Sequence, residues 1–458
     1  MKPTVAKPAT LEYSATAGPR PGPSGAAPRA AEPIARSPIV ILIVLLLMAA
    51  LWRLILALGI LAKPSLANNL GALIQWRQLD IFAGPLALLL LASATRRWAA
   101  AATPLCAAGI LFDALGLLMQ QSGADMAITD GLLRSGIVAI ALCAAVIVLR
   151  ELSNAAKRLD PARAQPSVGA AANRGGLDLL DLWRLLTVQW VLVWAAAEVL
   201  LRFRFANVDL AANPSVRLLL FMLPAAGLVP NVTLWVTLSW ARTLGIAGQN
   251  EAGQYGGRPR AWVTAMILLN IGALLLIISP SKAGIFGSLL MAAGLGLYLL
   301  GFPRGAWKRA PGEGGGIGGG LIAGSLLMLG IGVLLLGAAG FYSFATSQAV
   351  SEYALMGMRT MVYPAFPLVW LAGVGTCALR RCVPARWQPR QAGLLAAVLM
   401  AVAAVGTAAV FFAVAATGPE GGGFELLSAT AILEAVGVGL GSVVALRGLG
   451  VTRVKGGA

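Results

Sequence analysis

"AWVTAMILLNIGALLLIISPSKAGIFGSLLMAAGLGLYLLGFP", residues 261–303, carries a single charged side chain, Lys282. It divides into two apolar runs, 261–280 and 283–303, on either side of Ser281 and Lys282. Each run has the roughly 20 residues that a helix needs to cross the hydrocarbon of a bilayer. In that medium each backbone N–H and C=O must find a partner within the protein, which an α-helix supplies from its own chain. The stretch therefore reads as a hairpin of two membrane-spanning helices.

The same pattern extends in both directions. About twelve apolar runs qualify, at roughly 38–62, 78–95, 99–120, 131–150, 183–203, 215–240, 261–280, 283–303, 317–342, 361–379, 393–416 and 425–446. The whole chain is 58% hydrophobic and 12% charged, against about 25% charged in soluble domains, and its mean hydropathy is +0.81. The fold expected is an all-α polytopic integral membrane protein, a bundle of about twelve transmembrane helices. Residues 1–37 are rich in Pro, Ala and Gly with no apolar periodicity, and read as a disordered tail. Residues 38–446 form the transmembrane domain. Its longest connection, about 151–182, ends in "GGLDLLDLWRLL", where Leu177, Leu180 and Trp183 at helical spacing suggest an interfacial helix feeding the fifth span. Residues 447–458 are a second short tail.

A net charge of +17 raises the question of nucleic acid, and placement answers it. The Lys and Arg residues fall in short loops between apolar runs, with no basic stripe carrying interleaved aromatics. If the N-terminal tail is cytoplasmic, that tail, the even-numbered loops and the C-terminal tail hold most of the 35 Lys and Arg. Loops such as "QSGADMAITD" and "TGPEGGGF" hold none. By the positive-inside rule both termini are cytoplasmic. The basic inner face would favour anionic lipids of the bilayer as partners.

The chain contains no His, which removes His-based hydrolysis and the commonest metal ligand. Four Cys, at 106, 143, 377 and 382, lie in or beside apolar runs and read as reduced core residues. The loop "APGEGGGIGGG" (310–320) follows no strand and lacks the Lys-Ser/Thr of a phosphate-binding loop, so it reads as a linker. The carboxylates expected on the outer face, Asp80, Asp125, Asp130, Asp209, Glu420 and Glu425, form no cluster, which disfavours an enzyme acting on lipids.

Ionisable groups within spans are expensive and mark candidate sites. Five stand out: Arg53, Asp113, Arg134, Glu198 and Glu434. Asp113 and Glu434 lie near mid-span, where each must be neutral, paired or facing a polar cavity. One reading pairs them with Arg53 or Arg134 to lock helix packing; the other makes them a proton or cation relay. Arg134 and Glu198 lie nearer span ends, close to Arg202 and Arg204, and read as interfacial anchors. Asn231 and Asn270 are candidate interhelical hydrogen-bond partners. The runs 78–95, 215–240 and 361–379 contain Pro and are candidate broken helices of the kind found in secondary transporters. Met356, Met358 and Met361 form a cluster open to Cu(I) binding or to ordinary packing.

Two motifs carry a family resemblance. "WRQLDIFAG" (Trp76–Gly84) resembles the Trp-His-x-His-Glu-Met-x-x-Gly entry to the second span of the NnrS family of twelve-span bacterial membrane proteins. Trp76 and Gly84 match, Asp80 stands at the Glu, and Arg77 and Leu79 stand at the two His positions. "YALMGMRTMV" (Tyr353–Val362) is similar to the family's His-Ala-Leu-Thr-Val-Gly region, with Tyr353 at the His. The resemblance implies a role in nitric-oxide or nitrosative-stress response in the bacterial cytoplasmic (inner) membrane, with haem and copper as the family's cofactors. Arg does not deprotonate and Leu has no donor atom, so a divergent member without bound haem is expected. The alternative is a twelve-span secondary transporter that uses intramembrane carboxylates for proton or cation coupling.

Overall fold

A computed structural model describes residues 99–121, 125–159, 179–204, 221–244, 258–279, 282–303, 306, 315–348, 350–382, 390–418 and 423–455, with isolated helical positions between Ile43 and Leu58. Regular structure among them is entirely helical. The helices are α1 (Ala99–Gln121), α2 (Met126–Leu159), α3 (Leu179–Arg204), α4 (Val229–Leu244), α5 (Pro259–Ile278) and α6 (Gly284–Gly301), then α7 (Gly315–Thr346), α8 (Glu352–Thr360), α9 (Phe366–Cys382), α10 (Arg390–Thr417) and α11 (Gly423–Lys455). Two π-helical segments interrupt the series. We call them π1 (Leu223–Leu228), which runs into α4, and π2 (Met361–Ala365), which joins α8 to α9.

Seven of these helices, α2, α3, α5, α6, α7, α10 and α11, are long and apolar enough to cross a membrane. Their outward faces carry large apolar side chains, among them Leu149, Leu200, Ile278, Phe286, Leu300 and Leu327. Polar groups such as Thr187, Asn231, Thr233, Thr237 and Ser325 are buried. Apolar faces of this extent on a solvated surface would drive association, whereas hydrocarbon solvates them. The protein is thus a helical, membrane-embedded one. The expected spans 38–62 and 78–95, the N-terminal tail, Arg53 and the Trp76–Gly84 motif lie wholly or mostly outside the described residues.

Successive helices pack as neighbours: α1 with α2, α2 with α3, α5 with α6, α6 with α7, and α10 with α11. The hairpin of residues 261–303 shows why. A Cβ added at Gly272 would lie 2.5 Å from the Gly287 carbonyl oxygen, and one at Gly287 would lie 2.6 Å from the Gly272 carbonyl oxygen. Backbone meets backbone at that crossing, the close approach that small residues allow in membranes.

Two helix bounds differ from the sequence expectation, one at the start of α7 and one at the end of α11. The Gly-rich run at 310–320 is helical from Gly315, as the start of α7. There α7 lies against α9, and a Cβ at Gly373 would come 2.8 Å from the Gly318 carbonyl oxygen. Tertiary contact that only a bare backbone permits outweighs the low helix propensity of Gly, about 1 kcal/mol per residue. Most of the connection at 151–182, Leu177 included, lies outside the described residues, and α3 begins at Leu179. The helix runs unbroken through Trp183 to Arg204, and Trp183 is fully buried. The last helix continues to Lys455, beyond the expected end of its span at 446.

Candidate functional site

The residues from Phe221 to Leu238 are buried without a break. Helix α4 is therefore enclosed, with α3, α9 and π1 packed around it and α5 reaching it through Asn270. Its sequence, "LPAAGLVPNVTLW" from Leu223, places Pro224 and Pro230 inside the helical run. Pro has no N–H and its ring collides with the carbonyl four residues back. The chain answers by widening a turn: the Val229 N–H reaches the Pro224 oxygen, five residues back.

In π2 the break is sharper. Tyr363 has extended backbone (φ −159°, ψ 128°) inside an otherwise helical path. The residue before a proline is steered out of the α region by the ring, and Tyr363 precedes Pro364. Helical bonding resumes when the Phe366 N–H reaches the Met361 oxygen. The two interrupted segments touch each other. Beside them, Gly332 of α7 leaves room for Val362, whose Cγ2 a Cβ there would meet at 2.9 Å. The guanidinium of Arg359, in the last turn of α8, sits 5.6 Å from the centre of the Phe221 ring.

A chain of uncharged polar groups rests on π1. Trp190 Nε1 donates to Asn270 Oδ1 at 2.5 Å. Asn270 Nδ2 donates to Asn231 Oδ1 at 3.2 Å and to the Met266 oxygen at 2.7 Å. Asn231 Nδ2 donates to the Gly227 oxygen at 2.8 Å. The network joins α3, α4 and α5 and ends on a carbonyl of π1. Further along α4, side-chain donors accompany the backbone. The Thr233 hydroxyl serves the Val229 and Pro230 oxygens at 2.8 and 3.0 Å. The Tyr298 hydroxyl donates to the Leu234 oxygen at 2.8 Å. Trp370 Nε1 donates to Thr237 Oγ1 at 2.8 Å, and that hydroxyl donates to the Thr233 oxygen at 2.7 Å.

The ionisable candidates are distributed, not gathered. Arg134 pairs with Asp130 at 3.2 Å, one turn away on α2, with side chains 41% and 44% exposed; it does not cross to another helix. Glu198 is buried on α3, and Glu434 is buried on α11. Asp113 lies in α1, and its side chain falls outside the described residues. Two features absent from the sequence-level set are Arg359 and an ion pair between Arg184 of α3 and Glu151 of α2. Pro364, five residues beyond Arg359, was the available signal for the first. The second involves residues 33 apart in the chain, and no short-range pattern marks it.

The positions tied to the family motifs fare as follows. Tyr353 packs with Met356, Val410, Phe411, Val414 and Leu427 in a small cluster between α8, α10 and α11. Met358 and Met361 pack against the main core instead, so the three Met side chains divide between two apolar clusters. Tyr353 and Met356 bring a phenol and a thioether into that cluster. Among the described residues no group of three or more His, Cys, Asp or Glu could hold a metal ion. The His ligands that the resemblance implies for haem and copper have no counterpart in this chain, which contains no His. No protein-family model, curated protein or solved structure matches the chain.

Proposed function

We propose that the chain is a transporter-type membrane protein that passes a small uncharged or zwitterionic solute through the crossing of π1 and π2. The observation that carries this reading is the meeting of two Pro-interrupted helices at an enclosed position. Interrupted helices expose backbone groups that can bind a solute and supply points about which half-helices turn. The amide and indole groups of Asn231, Asn270 and Trp190 beside π1 offer donors and acceptors without net charge, which suits a neutral or zwitterionic ligand. Glu198, buried on the same helix as Trp190, and Glu434, buried on α11, are the groups through which a proton would couple, as intramembrane carboxylates commonly do. The membrane would be the bacterial cytoplasmic membrane, with both termini inside.

The test is a solute-jump measurement on proteoliposomes adsorbed to a solid-supported electrode, with amino acids, amides and polyols as the panel. A transient current in the wild type that disappears in Asn231→Leu, and changes its proton dependence in Glu434→Gln, supports the reading. A correctly folded protein that answers no member of the panel overturns it. A second reading, a divergent NnrS-like protein of nitrosative-stress response without haem, draws support from one observation. The motif Tyr353–Val362 forms α8 and the first residues of π2, so it ends on the same interruption. A stoichiometric haem band in the visible spectrum of the purified protein would overturn the haem-free form of that reading.

A further inference from the structure

Glu151 and Arg184 form an ion pair that joins the last turns of α2 to the first turns of α3. The carboxylate is 4% exposed and the Arg side chain 17%. A buried ion pair is a poor device for stability alone, because desolvation offsets most of its attraction. This one is also incompletely bonded. Arg184 Nε and the neighbouring Trp183 Nε1 are buried with no hydrogen-bond acceptor, so opening this end would hydrate two donors that the closed arrangement leaves unsatisfied.

The pair is tied to the interrupted helix. The Arg184 guanidinium lies 5.8 Å from the Trp235 ring centre, and Trp235 Nε1 donates to the Leu180 oxygen at 3.1 Å. Trp235 sits on α4, two turns beyond π1. Any swing of α4 about π1 has to draw Trp235 away from Leu180 and Arg184.

We propose that Glu151, Arg184 and Trp235 are a latch that holds this end of the bundle shut, released when α4 turns about π1. The latch rests on the transporter-type reading, as the gate of the same path. Its ends lie on the side that the basic loops assign to the cytoplasm.

The test needs no solute, so its failure is separable from failure to find a substrate. In a full-length protein with Cys106, Cys143, Cys377 and Cys382 replaced by Ala, Leu238→Cys is added one turn beyond Trp235, at a buried site. Its rate of reaction with a water-soluble maleimide in detergent is measured. Ala431→Cys, buried on α11, reports general loosening. Glu151→Gln, or Arg184→Gln, is expected to raise labelling at Leu238→Cys about tenfold and leave Ala431→Cys unchanged. The exchange Glu151→Arg with Arg184→Glu should return the rate toward its starting value. Unchanged labelling at Leu238→Cys, or an equal rise at Ala431→Cys, would overturn the latch.

Discussion

Replacing Asn270 by Leu removes an acceptor and a donor from the inside of the bundle while keeping the branched shape of the side chain. Trp190 Nε1 loses its partner at 2.5 Å and Asn231 Oδ1 loses its donor at 3.2 Å. Asn231 keeps its bond to Gly227, and the Met266 oxygen loses a side-chain donor from within its own helix, so two bonds between helices are lost. Interhelical hydrogen bonds in bilayers average about 0.6 kcal/mol in double-mutant cycles, which puts the lower limit near 1 kcal/mol for two. A buried group left without a partner costs about 1–3 kcal/mol, which puts the upper limit near 6. The 3.2 Å bond is the weaker of the two, and Leu recovers some apolar packing, so about 2 kcal/mol is expected. Reversible unfolding of the purified protein in mixed micelles measures this directly. The cycle with Trp190→Phe is the sharper form of the experiment. Once the indole N–H is gone, Asn270→Leu should cost about 1 kcal/mol less. If Asn270→Leu is neutral, or if the two substitutions add without coupling, the network does not hold these helices together and the reasoning fails.

Gly287→Val should be among the most damaging single changes in the hairpin of α5 and α6. Its Cβ alone would meet the Gly272 carbonyl oxygen at 2.6 Å, and overpacking against backbone costs about 1–3 kcal/mol or more, read as a fall in thermal midpoint. Tyr298→Phe deletes the bond to the Leu234 oxygen and should cost about 1 kcal/mol; a neutral result in the same unfolding assay would count against that bond. Arg134→Ala should change stability by no more than about 0.5 kcal/mol, because its pair with Asp130 is half-exposed and within one helix. A loss of 2 kcal/mol there would mean that Arg134 has a role across helices that its position does not display.

How much of this was legible in the chain itself differs from element to element. The helical class and the membrane environment follow from run length and composition, because hydrocarbon admits few backbone solutions. The hairpin at 261–303 is readable to within a residue or two. The interruptions at 215–240 and 361–379 were also legible, since Pro acts through its own ring on the residues next to it. Even the Tyr363 excursion is a local effect of Pro364. Asn231 and Asn270 could be named as polar residues in apolar runs, which is as far as periodicity reaches.

What tertiary structure decided is which of these features meet. Sequence places Asn231, Asn270 and Trp190 on three separate helices, and only the packing of α3, α4 and α5 brings their hydrogen-bonding atoms into one chain. The same holds for Glu151 and Arg184, whose pairing depends on how α3 returns along α2. Trp183 was marked only by its helical spacing with Leu177 and Leu180; it is fully buried, and its ring meets that of Tyr298 edge-on at 5.6 Å. The Gly run at 315–320 looked like a linker because Gly disfavours helix in isolation, yet it is helical where α9 packs against bare backbone. Local chemistry sets what each segment can be. Close approach between segments, which no single segment encodes, sets which polar groups end up buried together and therefore where a function can be built.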